Sequence, residues 1–290
     1  MIIDFRVNPP TKKGQVRFLN PTPKRLLRYA DVYGAKSFGL PEEQVVMEPD
    51  RFISLMDEAG IDKVVLMAGD IESTYGSVYP NSELAELIQH RPERFLGLAG
   101  ADPHKGMRAV REFERAVRDD GFVGLNLGPW EHKILANDKK YYPLYAKCVE
   151  LDVPVILHTS INFSRELKLD AGNPMYIDEV AIDFPELKIV ASHAGWPWVL
   201  QMIAVAWRHP TVYMDLAGIR ARHLAKPGSG WESLLNYGNS VVGDRVMFAT
   251  DWPMLDWKTA VAEIEQLPLK PQVIRGWLGE NAARLLKLDS

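Results

Sequence analysis

The sequence predicts an α/β protein whose eight strand-helix units close into a parallel (β/α)8 TIM barrel, and three observations carry that expectation. Short aliphatic and β-branched runs recur eight times, at residues 2–7, 63–68, 95–99, 122–125, 153–157, 187–191, 211–214 and 245–249. These runs are apolar throughout instead of alternating, which is what a parallel strand covered on both faces requires. Amphipathic stretches long enough for helices separate them, at residues 81–90, 107–118, 141–151, 175–183 and 198–208. Strand and helix therefore alternate, and the right-handed crossover is the natural unit.

The first run, Ile2-Ile3-Asp4-Phe5-Arg6-Val7-Asn8, is strand-like almost from the start of the chain. It lacks the basic, apolar and small-residue succession of a secretory signal, so it is expected to belong to the fold. The connection over residues 8–48 is unusually long and is expected to cover one side of the barrel mouth. Asn81, in a Pro-Asn-Ser stretch, is expected to cap the helix over residues 81–90. Pro92, Pro185 and Pro210 follow helical segments, stop them and lead into the next strand. Residues 271–286 read as a closing helix. No linker divides the chain, so residues 1–290 are expected to form one domain, near the roughly 250 residues that such barrels use.

Composition narrows the function classes. Hydrophobic residues make up 47% and charged residues 25%, and no apolar stretch approaches the roughly 20 residues of a membrane span, so a cytoplasmic protein without membrane contact is expected. The net charge of −4 is spread along the chain with no basic block, which argues against a nucleic-acid partner. The single cysteine, Cys148, lies in an expected helix and reads as a small buried apolar residue.

Three of the apolar runs finish on a proton-transferring or metal-binding group. Pro154-Val-Ile-Leu-His158 ends on an imidazole and leads into the polar Thr159 and Ser160. His193 follows the run 187–191, with Gly195 permitting close backbone approach and Trp196 and Trp198 offering flat apolar walls. Asp251 ends Arg245-Val-Met-Phe-Ala-Thr-Asp251, and a carboxylate so placed must be exposed at the rim or paired inside it. If the three runs are strands of one closed sheet, His158, His193 and Asp251 converge at the rim where barrels place their chemistry. Asn126, at the end of the fourth run, orients a substrate or caps a turn. Arg165 and Arg220, after the fifth and seventh runs, suit an anionic substrate, and Trp196 with Trp252 would give a planar ligand an aromatic lining unless they are ordinary core. His90, His104, His132, His209 and His223 have no convergent placement and are expected to be structural or exposed.

Taken in order, the opening strand, Pro154 to His158, His193-Ala-Gly, Val246-Met-Phe-Ala-Thr-Asp251-Trp-Pro and the tail Gly279-Glu-Asn-Ala-Ala-Arg-Leu-Leu resemble the amidohydrolase superfamily. The resemblance is to its amidohydrolase-related branch of aminocarboxymuconate semialdehyde decarboxylases, aromatic-acid decarboxylases and small-molecule lactonases, and it covers nearly the whole chain. It implies a metal-ligand position for His158, a water-activating or proton-assisting histidine at His193, and a metal-binding, proton-shuttling aspartate at Asp251. The chain departs from the family where two histidines are expected on the first strand, since Arg6 and Asn8 stand there. The fourth run also lacks the lysine that some members carbamylate, so a two-metal site is not expected.

His158, His193 and Asp251 form a set that could hold a single weakly bound divalent ion, zinc first, with water or the Asn8 oxygen as a fourth ligand. Against that stands the Arg6 guanidinium, whose planar fork pairs with Asp251 or grips a substrate carboxylate. A unit charge facing it at 4 Å is repelled by about 4 kcal/mol at an effective dielectric of 20. The expected cofactor is therefore none or one such ion. The first functional expectation is hydrolysis of a small carboxylated, cyclic substrate of lactone type by activated water. The alternatives are non-oxidative decarboxylation of an aromatic or enoic acid, and a non-catalytic small-molecule binder. Self-association into a homo-oligomer stays open.

Overall fold

Each of the eight apolar runs becomes a strand of one sheet in the computed structural model, which describes residues 1–19, 39–162, 164 and 166–288. In chain order the strands are β1 (Ile3–Val7), β2 (Lys63–Met67), β3 (Gly69–Ile71), β4 (Ser77–Tyr79), β5 (Phe95–Gly100), β6 (Gly124–Leu127), β7 (Val155–His158), β8 (Ile189–Ser192), β9 (Val212–Asp215) and β10 (Val246–Met247). The sheet runs β1-β2-β5-β6-β7-β8-β9-β10, and its neighbours pair in parallel. β3 and β4 form a separate antiparallel hairpin. The sequence reading did not contain it, because five of its six residues are half-buried or exposed and give no apolar signal.

The sheet closes where the last strand returns to the first. Val7 bridges Trp252 in parallel. Phe5 N donates to Phe248 O at 3.0 Å, Asp251 N to Arg6 O at 2.9 Å and Asn8 N to Trp252 O at 3.1 Å. The regular part of β10 is only two residues long, but these bonds carry the pairing past it to the rim. Closure thus sets Arg6 beside Asp251.

Strand periodicity explains why the runs are apolar on both faces. Val64 and Leu66 pack outward under the helices while Val65 and Met67 pack inward. The inward cluster joins Phe5, Leu98, Ile156, Val190 and Met247 from strands all around the sheet, so the interior is filled with side chains and a ligand can enter only at the rim. Helices Asn81–His90, Met107–Arg118, Tyr142–Leu151, Met175–Asp183 and Val199–Arg208 cover the outside. Cys148 is buried on one of them, where burial pushes its thiol far up and keeps it protonated.

Asn81 does not cap its helix. Its side chain instead accepts from Gly100 N at 2.8 Å and donates to Gly100 O at 3.1 Å, clamping the end of β5, and the position before it, Pro80, has no side chain able to cap. The closing segment is Pro271–Arg275, a wide turn over Gly276–Glu280 and a last helix Asn281–Leu286. Gly279 lies so close to the N-terminal strand that a Cβ there would sit 2.3 Å from Met1 O. Among the described residues no helix is long and apolar enough to cross a membrane.

Candidate active site

The C-terminal ends of the strands surround a cavity of about 470 Å³, lined by Arg6, Asn126, His158, His193, Trp196 and Asp251 among others. Arg6 leaves β1 and reaches inward between β6 and the segment after β10. Its Nη1 donates to Asn126 Oδ1 at 3.2 Å, and its Nε lies 3.7 Å from Asp251 Oδ1, with the two side chains only 11% and 5% exposed. Asn126 is fixed in turn, because its Nδ2 donates to Ala68 O at 2.9 Å and a carbonyl can only accept. That leaves Asn126 Oδ1 for the guanidinium.

Asp251 and His193 both take the left-handed backbone, with φ of 55° and 66°. Non-glycine residues reach this region at a cost and keep it only where neighbours hold them. Asp251 N donates to Arg6 O. His193 N donates to Asp215 Oδ1 at 3.0 Å, and the same oxygen accepts from Ser192 Oγ and Ala217 N, each at 3.0 Å. Asp215 is a positioning residue that sequence reasoning passed over. The signal was present, since Asp215 ends an apolar strand just as Asp251 follows one.

The two imidazoles lie together, with ring centroids 4.6 Å apart, and Trp130 meets His158 edge-on at 5.9 Å. His193 Nδ1 is 2.7 Å from Ala217 O, so that nitrogen carries the proton and Nε2 is the ring's acceptor. Burial holds His158 well below the usual histidine range, and His193, Arg6 and Arg17 push it the same way. Burial and Arg6 also lower His193, against the opposing pull of Asp215 and Asp251. Both rings are thereby held in the neutral form.

Asn8 braces the carboxylate. Its Nδ2 lies 3.2 Å from Asp251 Oδ1, 3.2 Å from Asp251 O and 2.8 Å from Trp252 O. Two of these partners are carbonyls, so the NH2 group faces Asp251 and the Asn8 oxygen does not, contrary to the expected use of that oxygen as a fourth ligand. Trp196 belongs to the cavity wall, and its carbonyl accepts from Ser160 Oγ at 2.8 Å and Ile161 N at 2.9 Å, tying the loops after β7 and β8 together. Trp252 is core instead, stacked on Trp257 at 5.5 Å and edge-on to Phe52 at 4.9 Å. Arg220 also departs from expectation, because Glu263 engages its Nε through both carboxylate oxygens at 3.1 Å, away from the cavity lining. Arg165 lies outside the described residues.

Other lining residues were not anticipated. Arg17 enters from the long first connection, on the short helix Val16–Leu19, and pairs with Glu131 at 3.1 Å. His223, expected to be structural or exposed, is exposed and stands at the cavity mouth. Trp130 and Trp231 add indole walls. Neither the placement of Arg17 nor that of His223 carries a periodic signal, since both sit on segments between the large elements.

The side chains do not suit a divalent ion. Among the described residues no three His, Cys, Asp or Glu side chains come together as a metal-holding group. His158, His193 and Asp251 share the cavity, but Asp251 Oδ1 is taken up by a guanidinium and an amide NH2. Both present the positive ends of donors to that oxygen.

A model of the amidohydrolase family matches residues 22–288, a stretch that begins after Arg6 and Asn8. The chain is 25% identical over 296 residues to the gamma-resorcylate decarboxylase of Rhizobium sp. (strain MTP-10005), covering 83% of this chain and 87% of that protein. It is 30% identical to an uncharacterized TIM-barrel protein from Bordetella bronchiseptica, with a TM-score of 0.78 and coverage of 99% and 98%. The 5-carboxyvanillate decarboxylase of Novosphingobium aromaticivorans shares its fold at a TM-score of 0.71 and 18% identity, covering 99% and 96%. With the family model spanning most of its length and a barrel of the same build, the chain belongs to the amidohydrolase family.

Proposed function

We propose that the protein is a carboxy-lyase that releases carbon dioxide from a small aromatic or enoic acid, with residues 1–290 acting as one domain. The observation that carries this reading is a nearly buried guanidinium, Arg6, inside a cavity walled by Trp130, Trp196 and Trp231. A flat acid places its carboxylate on the cation and its ring against the indoles. The names of the relatives support the same class: one decarboxylates gamma-resorcylate, and the 5-carboxyvanillate decarboxylase was solved with manganese and a hydroxymethoxynitrobenzoic acid. Lactone hydrolysis, the first expectation from sequence, would use the same groups, but none of these names supports it.

In the proposed mechanism Arg6 receives and orients the carboxylate through its planar fork. Asp251 relays a proton from solvent to the ring or alkene carbon that bears the carboxylate. The carbon-carbon bond then breaks, its electron pair restores the π system, and carbon dioxide departs. His193, with its proton on Nδ1, takes up at Nε2 the hydrogen of a substrate hydroxyl, so raising electron density at the carbon being protonated, and returns it to the product oxygen once carbon dioxide has left. Each turnover consumes one proton from solvent. The manganese belongs to the other enzyme, and no step here passes through a metal.

The experiment is product analysis by proton NMR in D2O with a panel of hydroxybenzoates and enoic acids. The reading expects carbon dioxide release with deuterium at the vacated carbon, lost in Asp251→Asn. Ring-opening of lactones without carbon dioxide release would replace it with the hydrolase reading.

A further inference from the structure

We infer that the Arg6 guanidinium is the resident cation of this site, and that the cavity binds carboxylates without a divalent ion. Three constraints hold the guanidinium there. Asn126 is anchored to Ala68 O and turns its own oxygen to Arg6 Nη1. Asp251 Oδ1 faces Arg6 Nε on one side and Asn8 Nδ2 on another. Asn8 cannot turn its oxygen inward, because rotation would set that oxygen against the carbonyls of Asp251 and Trp252 at 3.2 and 2.8 Å.

An ion on Asp251 Oδ1 would therefore have to displace two donors, and one anywhere on this carboxylate would compete with a nearly buried guanidinium for its counter-charge. A carboxylate displaces nothing. Among the described residues Arg6 Nη2 has no hydrogen-bond partner, so two N–H groups of the fork are available to a ligand in the cavity that Arg6 lines.

The inference concerns binding and is independent of which reaction follows. Protein purified from medium containing manganese and zinc is assayed for metal, and benzoate binding is measured by calorimetry with chelator, without it, and with added manganese. The expected result is less than about one-tenth equivalent of metal and a benzoate Kd unchanged within about twofold across the three conditions. Arg6→Met should weaken benzoate by about tenfold or more, and Arg6→Lys by less, because lysine keeps the charge and loses the fork. A melting curve for each variant separates loss of binding from loss of fold, and Arg6→Lys serves if Arg6→Met does not fold. Near-stoichiometric metal, benzoate binding that needs manganese, an absence of benzoate binding in every condition, or undiminished binding in a folded Arg6 variant would each overturn the inference. Arg6-dependent benzoate binding without any carbon dioxide release would leave it standing and remove the decarboxylase reading instead.

Discussion

The two sides of the cavity are built from different chemistry. At the closing seam, Arg6, Asn8 and Asp251 form a charged group, with each member held by a hydrogen bond or an ion pair. On the β7 and β8 side, His158 and His193 are uncharged rings that burial and nearby cations keep from protonating. The seam joins residues 243 positions apart, so it exists only once the barrel has closed. The imidazole pair comes from neighbouring strands in register, with His158 opposite Ser192. The seam thus presents charge to the cavity, and the β7 and β8 side presents neutral rings.

Removing charge from the seam should break the site most completely. Asp251→Asn keeps the shape and hydrogen-bonding size but cannot deliver a proton, and kcat should fall by about 10² to 10⁴, the usual span for a lost acid-base group. Steady-state rates decide it, and a variant within threefold of the parent would move the proton transfer to the imidazole side. His193→Gln retains an acceptor without an imidazole. Its kcat should drop by about 10- to 100-fold on hydroxylated substrates, less than for Asp251→Asn, because in the proposed scheme it acts on the hydroxyl and not on the reacting carbon.

The imidazole side also predicts the direction of acid destabilisation. Both histidines have depressed pKa values in the fold, whereas unfolded histidine titrates near 6.5. Their contribution is complete above about pH 6.5 and is lost as pH falls below it, by up to about 1.4 kcal/mol per pH unit for each ring. Denaturant melts at successive pH values should show this slope in the parent and a shallower one in His193→Gln. An unchanged slope would mean that the rings are not held neutral by the fold.

Support for the seam comes from beneath it. Asp4 is fully buried and accepts from Thr250 N at 2.9 Å, Trp257 Nε1 at 2.7 Å and the Thr250 hydroxyl. Asp4→Asn would turn an NH2 toward donors, costing about 1 to 3 kcal/mol by denaturant melts and loosening the segment that carries Asp251. Arg220→Gln, which breaks only the pair with Glu263, should leave kcat/KM within about threefold. A larger loss would bring the loop after β9 into substrate binding.

Much of the barrel was legible because parallel strands covered on both faces leave long apolar runs, and residues following such runs land on one rim. His158, His193 and Asp251 were singled out by that rule, whereas Arg6, inside the first run, was singled out because it stands where the family resemblance expects a histidine. The same rule applied one residue further would have found Asp215, which the expected strand stopped short of. Partner choice among long side chains was not legible. Arg220 meets Glu263, 43 positions away, and Trp252 turns into the core while Trp196 lines the cavity, outcomes set by tertiary packing and not by spacing. Asn8 and Asn126 illustrate a finer limit, since which end of an amide faces the site depends on carbonyls contributed by other strands.

The most direct test of the account is a crystal structure of the protein with a nonreactive aromatic acid bound. The account predicts the acid's anionic group within hydrogen-bonding distance of the Arg6 guanidinium and its ring against the tryptophans, with Asp251 beside the carbon that bears the anionic group. An acid anchored by a metal ion held between His158, His193 and Asp251, or one that leaves Arg6 untouched, would contradict it.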